Sequence, residues 1–320
     1  MKWYTENMNK FKFSFDNKRY HTLNFYNKTN FSARVEKAVI NAGFSCPNRD
    51  GKVGVGGCTF CDNGSNYFCG DGELSQQLDR EIARIHAKRP NSKIVAYFQS
   101  GSNTYADISK LQEIYQPFLD DERLFGLSIA TRADCIDENI ADYLKTIAEK
   151  TRLTVELGLQ TANDNTAKLI NRGHDFSQFV KGYERLKSRG IRVCVHIING
   201  LPNEEKQDML DTAREISKLR PDGVKIHMLN VVRGTPLEKL DFRLLSRDEY
   251  VDITVSQLEL LPPETVIERL TGDGDKRTLI APEWVKNKIA VLSQIDREFV
   301  RRNTFQGVYF DTKSAIFGKI

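Results

Sequence analysis

The chain has 320 residues, with 47 basic and 43 acidic side chains and a formal net charge of +4, a mild excess that permits a polyanionic partner without demanding one. No hydrophobic run approaches the roughly 20 residues of a membrane span, and the N-terminal MKWYTENMNKFKF lacks the apolar core of a signal peptide. No membrane association is therefore expected, and six cysteines without a secretory signal point to the reducing cytoplasm, where thiols stay available to metal.

Residues 2–38 interleave Lys2, Lys10, Lys12, Lys18, Arg19, Lys28, Arg34 and Lys37 with Trp3, Tyr4, Phe11, Phe13, Tyr20, Phe25, Tyr26 and Phe31. Such a mixture suits phosphates and unstacked bases; an extension whose aromatics pack on the domain while its lysines are solvated fits it equally well. Beyond it, short β-branched or apolar runs predict strands at 35–40, 93–99, 124–131, 153–160, 192–199, 223–231 and 266–270. Nearly every gap holds a helix-period pattern, such as SQQLDREIARIHAKR and DISKLQEIYQPFLDD. This βα alternation predicts an α/β fold with a parallel sheet and right-handed crossovers, and the even spacing favours an open or partial barrel. In such barrels functional groups gather on the loops that follow the strands.

The loop after the first expected strand reads FSCPNRDGKVGVGGCTFCDNGS. Cys58 and Cys61 form a C-x-x-C turn, and Cys46 returns to the same point across a glycine-rich loop. Three thiolates so arranged suit an iron–sulfur cluster with one iron lacking a protein ligand. A structural four-cysteine zinc site completed by Cys69 is the alternative, and a redox C-x-x-C pair is a third, although such a pair should open a helix in a smaller unit. Cys69, Cys135 and Cys194 are most simply structural thiols.

Polar residues recur at successive strand ends: YFQSGSNTYA, SIATRAD, VELGLQT with KLINRGH, VHIINGLPNE, KIHMLNVVRGT and ERLTGDG. A single ligand lying across the mouth of a barrel explains that recurrence, and a zinc staple alone does not. Arg269 and Asp273, in the last of these segments, are expected substrate contacts or a surface turn.

With these motifs, residues 30–300 resemble the radical S-adenosylmethionine (SAM) enzymes with a long C-x11-C-x2-C loop, a group related to the radical SAM part of the Elongator catalytic subunit and to oxygen-independent coproporphyrinogen oxidase. The resemblance implies a partial (β/α)6 TIM-type barrel over 31–262, preceded by a basic and aromatic extension, 1–30, and closed by a C-terminal extension, 263–320. It implies a [4Fe–4S] cluster on Cys46, Cys58 and Cys61, with SAM on the fourth iron. Phe60 matches an aromatic near the adenine. Ser100, Gly101 and Ser102 match the glycine-rich segment that receives the SAM amino group, with Gln99 and Ser100 in place of glycines. Gln160 and Arg172 match groups for the ribose and carboxylate, a planar guanidinium being suited to paired hydrogen bonds with a carboxylate. His196 falls where relatives carry a ribose-binding acid, Thr131 has a hydroxyl in reach of the same ligand, and His227 and Met228 lie where the backbone meets adenine.

For substrate, the resemblance implies the small bacterial Elongator-like group and wobble-uridine modification in tRNA, with flavodoxin or ferredoxin as electron donor. The basic N-terminal segment and DREFVRR, residues 296–302, would supply phosphate contacts. A radical SAM oxidoreductase acting on a small molecule, like the porphyrinogen relatives, and a non-enzymatic RNA-binding protein with a structural zinc site are the competing readings.

Overall fold

The computed structural model describes residues 11–62, 72–272 and 274–311. Lys2, Trp3, Tyr4, Lys10, Cys69 and Asp273 lie outside the described residues. Helix α1 (Leu23–Phe31) precedes strand β1 (Val35–Ile40), and then come α2 (Leu74–His86), β2 (Lys93–Phe98), α3 (Ile108–Leu119), β3 (Leu124–Thr131) and α4 (Glu138–Lys150). The chain continues through β4 (Arg152–Gln160), α5 (Asp164–Leu169), α6 (Phe176–Lys187), β5 (Arg192–Asn199), α7 (Lys206–Leu219) and β6 (Gly223–Met228). Last come β7 (Val231–Val232), α8 (Arg247–Leu260), β8 (Val266–Arg269), β9 (Leu279–Ala281) and α9 (Lys288–Arg301).

Seven strands form one parallel sheet in the order β1-β2-β3-β4-β5-β6-β8. The sheet is curled into a half-barrel: Lys37 on the first edge strand reaches Glu268 on the last at 3.2 Å. Its seventh strand comes from within 263–320, the segment expected to be an extension, because Gly223 and Val224 of β6 pair with Val266 and Ile267. This pairing ends at Lys225 opposite Arg269, and the pairing with β5 ends at Met228 opposite Asn199, so the strand expected over 223–231 stops at Met228. Val231 and Val232 leave the sheet to pair antiparallel with β9.

One face of each strand is apolar and packs on helices. Ala38, Ile40, Ile94, Ala96, Phe98, Leu127, Ile129, Val155, Leu157, Val193, Val195, Val224 and Ile226 belong to one buried core with Tyr115, Phe118, Leu144, Tyr183 and Leu186 of the helices, and its removal from water is the main stabilising term. Helix α8 buries Tyr250, Val251, Ile253, Thr254, Val255 and Leu258 around its circumference, because it packs between α7 and α9. The opposite face of the sheet points into the half-barrel and is not apolar; it carries the charged groups described below. Helix α1 closes the end of the half-barrel at which the strands begin. Thr22 caps it and bridges to Ile267, Arg152 donates to the Tyr26 hydroxyl at 2.9 Å, and the Arg152 and Arg192 guanidinium groups lie over the Tyr26 ring.

The described part of the N-terminal extension packs on the domain. Phe13 stacks on His21 at 4.5 Å and meets Phe11 edge-on, and Tyr20 stacks on Phe299. Its cations pair internally, Lys18 with Asp296 and Lys12 with Glu264. Arg302 of the DREFVRR segment is held by Asp252, Glu259 and Glu298, and Arg301 by Glu298. These partners engage Lys12, Lys18, Arg301 and Arg302, four of the basic groups expected to face phosphates. Among the described residues no helix is long and apolar enough to cross a membrane.

Candidate cofactor and active site

The cysteine loop leaves β1 and folds back on itself through short backbone bonds: Arg49 N–H to Cys46 O (2.8 Å), Val53 N–H to Pro47 O (2.8 Å) and Gly57 N–H to Asn48 O (2.8 Å). Asn48 is the loop's wedge. Its side chain is fully buried, donating to Asn171 O at 2.6 Å and to Cys58 Sγ at 3.7 Å. It fits only because Gly173, at φ +78°, has no Cβ; one built there would stand 2.5 Å from Asn48 Oδ1. Asn171 returns the contact, donating to Val55 O (3.1 Å) and Gly57 O (2.8 Å), while Thr59 N–H binds Ile170 O (2.9 Å). The NRGH segment therefore fastens the whole cysteine loop.

A second fastening lies at the end of β2. Ser102 N–H donates to Ser45 O at 2.9 Å, and Gly101, at φ +72°, lies so close to the loop that a Cβ would stand 2.1 Å from Phe44 O. Ser100 is also left-handed, at φ +73°. Cys46, Ser100, Gly101 and Ser102 are thus brought to one place by backbone contact. The Thr131 hydroxyl turns instead to Thr104 Oγ1 at 2.7 Å, which donates onward to Cys135 O at 2.9 Å.

Arg172 is 5% exposed. Its Nη1 donates to Cys58 Sγ at 3.8 Å and its Nη2 to Gly158 O, while its Nε has no partner. Burial lowers its pKa, and the nearby Cys58 works the other way. The carbonyl of Arg172 accepts from Arg132 Nη1 at 2.9 Å, and Arg132 is itself locked to Asp134 at 2.9 and 2.7 Å. Asn48 and Arg132 were not singled out from sequence; the signal available was a polar residue two places after Cys46 and a charge directly after an apolar strand.

This donor set suits a cluster. Cys58 Sγ receives N–H groups from both Asn48 and Arg172, as thiolates bound to an anionic cluster do. Among the described residues no three His, Cys, Asp or Glu side chains form a group that could hold a single metal ion. Cys135 and Cys194 are buried, and burial pushes their thiols up, Cys135 to about 12 and Cys194 well above its usual value, as inert structural thiols require.

Beside Cys61 opens a cavity of about 330 Å³ whose walls include Phe60, Gln160, His196, His227 and Met228. Phe60, Gln160, His196 and Met228, expected around one ligand, meet here; Arg172, Thr131 and Ser100–Ser102 are not among its walls. Gln160 takes φ +79° at the irregularity that ends β4. Buried polar atoms without partners border the cavity, His227 Nε2 and Asn230 Oδ1, and such atoms ordinarily have a partner.

His196 and His227 are shared with a second cavity of about 550 Å³ inside the half-barrel. Behind its wall the Glu156 carboxylate, 1% exposed, accepts from four groups: Ser128 Oγ and His196 Nε2, each at 2.7 Å, and the ammonium groups of Lys37 and Lys225. Burial alone would raise its pKa; Lys225 and Lys37 overcome that and hold it well below the carboxylate range. Both ammonium groups lie over the Tyr97 ring, at 4.8 and 4.9 Å. Burial, with His196 and Arg269 nearby, pushes His227 well below 6.5, so its imidazole is neutral.

The profile of the Radical SAM superfamily matches residues 46–216, and that of the Radical_SAM C-terminal domain matches residues 221–301. The chain is 44% identical over 309 residues to the protein YtqA of Bacillus subtilis (strain 168), which covers 94% of this chain and 96% of YtqA. With Elongator complex protein 3 of Homo sapiens it is 30% identical over 159 residues, 47% of this chain and 28% of that protein. The solved archaeal Methanocaldococcus infernus Elp3, with its N-terminus deleted, shares the fold with a TM-score of 0.65 at 17% identity, over 86% of this chain and 64% of that one. The chain thus spans only part of each of these two Elongator proteins.

Proposed function

The chain belongs to the radical SAM superfamily, and from that premise we propose that it modifies the C5 side chain of the wobble uridine in tRNA, converting 5-carboxymethylaminomethyl-(2-thio)uridine to the 5-aminomethyl form. It is an enzyme whose cofactors are a [4Fe–4S] cluster and SAM, and together these supply a hydrogen-abstracting 5′-deoxyadenosyl radical. The observation that carries the reading is the shared wall: His196 and His227 border both the cavity at Cys61 and the interior of the half-barrel, so a group placed in one faces a group placed in the other.

Roles follow from position at the Cys61 cavity and, for Arg172 and Ser100–Ser102, from the family resemblance. Cys46, Cys58 and Cys61 hold the cluster, Asn48 and Arg172 orient Cys58 Sγ, and the Arg172 guanidinium offsets negative charge beside it. By the family resemblance Arg172, whose buried Nε has no partner among the described residues, meets the SAM carboxylate from outside the walls of the Cys61 cavity. Ser100–Ser102 receive the amino group, Gln160 the ribose, and Phe60 and the Met228 backbone the adenine. Helix α1 covers the end of the half-barrel at which the strands begin and shields it from water. A flavodoxin or ferredoxin supplies the electron.

The relation to Elongator proteins supports tRNA as substrate class. A second reading, a small-molecule oxidoreductase, is favoured by the internal pairing of Lys12, Lys18, Arg301 and Arg302, which leaves these groups engaged. Nucleoside mass spectrometry of tRNA from a deletion strain separates the two: the proposal expects the 5-carboxymethylaminomethyl nucleoside to accumulate and the 5-aminomethyl form to disappear. Unchanged wobble uridines overturn it and leave the cofactor assignment standing.

A further inference from the structure

Among the described residues, the interior of the half-barrel has more positive charge than its own carboxylates balance. Setting aside Arg269, which is engaged, Lys37, Arg152, Arg192 and Lys225 line it against the carboxylates of Glu36 and Glu268, the latter paired with both Lys37 and Arg192. Glu156 lies buried behind them, and Glu36 is engaged by Arg34 and Arg89 on the outside. Of the two central ammonium groups, Lys37 bridges Glu156 and Glu268, whereas Lys225 forms an ion pair, among the described residues, only with Glu156. An ammonium has three N–H groups, so Lys225 keeps donors for a further acceptor in a chamber it lines. Two residues along the same strand and on the same face, His227 has a buried Nε2 with no partner among the described residues. The same imidazole borders the cavity beside Cys61.

We propose that Lys225 and His227 form a subsite for a carboxylate carried by the substrate, inside the half-barrel and next to the reacting position. The inference rests on the reading of the Cys61 cavity as the SAM site. A buried charge needs an opposite charge and satisfied hydrogen bonds, and an entering carboxylate meets both needs: it takes up charge excess and offers oxygens to the ammonium and to the imidazole N–H. A phosphate fits less well. Phosphate sites are built from backbone N–H groups at glycine-rich turns and helix N-termini, and this chamber is lined by strand side chains. Glu156 serves as the fixed counter-charge, holding Lys225 and His196 in place from behind.

The test uses the full chain, anaerobically reconstituted and loaded with SAM, and isothermal titration calorimetry with three probes: 5-carboxymethylaminomethyluridine, its methyl ester and inorganic phosphate. The acid is expected to bind at least tenfold more tightly than the ester, with phosphate unable to displace it. Lys225→Met should abolish that preference while SAM binding is retained. His227→Gln, which leaves the charged network intact, should reduce it and keeps the test valid if Lys225→Met does not fold. Equal binding of acid and ester, no binding of the acid, or displacement by phosphate overturns the subsite. Failure of the unmodified protein to bind SAM is a different result and removes the underlying cofactor reading instead.

Discussion

Replacing Glu156 by glutamine tests whether the half-barrel interior is organised by one carboxylate. At neutral pH Glu156 is ionised, its pKa held well below the ordinary value by Lys225 and Lys37 against the effect of burial. Glutamine keeps the shape and removes the charge. Lys37 retains Glu268 at 3.2 Å, but Lys225, 4% exposed, loses its charged partner. Breaking a buried pair by removing one member costs about 3–5 kcal/mol. With an unfolding entropy of about 2.1 cal/mol/K per residue, a 320-residue unit loses about 1.5 °C per kcal/mol, so Glu156→Gln should lower Tm by about 4–8 °C at pH 7. The sign with pH is fixed by the lowered pKa: the wild-type advantage is complete above the unfolded value near 4.5 and is lost as pH falls through the folded one. Adding Lys225→Met restores the charge balance and should recover at least half of the loss. Differential scanning calorimetry of the three proteins reads these differences. A Glu156→Gln protein melting within about 1 °C of wild type at pH 7 would refute the reasoning.

Cys58→Ser removes a cluster ligand and the acceptor shared by Asn48 and Arg172; iron per chain after anaerobic reconstitution should fall from about four to below one, and retention of full iron would remove the assignment. In Gly101→Ala the Cβ meets Phe44 O and the left-handed φ adds about 1–2 kcal/mol of strain. The variant should keep its far-ultraviolet circular dichroism and lose at least half its iron and its SAM binding, whereas normal loading would show that the contact with the cysteine loop does not matter. Glu204, buried against Thr161, has its pKa raised by burial to about 7. A raised carboxylate pKa means stability fully present below the unfolded value near 4.5 and lost as pH rises through about 7, by at most about 3 kcal/mol. Glu204→Gln has no such titration, so urea unfolding from pH 5 to pH 8 should show wild type losing ground to it, and a constant difference would sink this account.

The strands were legible because each needs an apolar face for the helices, and that face repeats every second residue in runs such as VEKAVI, KIVAYF and RVCVHIIN. The cysteine ligands were legible for a related reason: the spacing from Cys58 to Cys61 and the glycines before them are local properties of one loop. The strand expected over 223–231 ran too far because its end is set by where β5 stops pairing, at Asn199 opposite Met228, which no local pattern in β6 contains. The partner of Arg172 was equally hidden, since Cys58 is 114 residues away in the chain.

By itself the sequence determined the βα order, the three thiols and the polar strand ends, all of which depend on residue type at short spacing. Only the tertiary structure decided what the inward face does. Lys37, Glu156 and Lys225 lie 119 and 69 residues apart along the chain and meet because the sheet curls. Read along their own strands they interrupt an apolar pattern; across the half-barrel they form a buried charged centre that borders the candidate cofactor cavity through His196 and His227. Curvature brings distant strands face to face, and a charge's partner is fixed by that closure rather than by its neighbours in sequence.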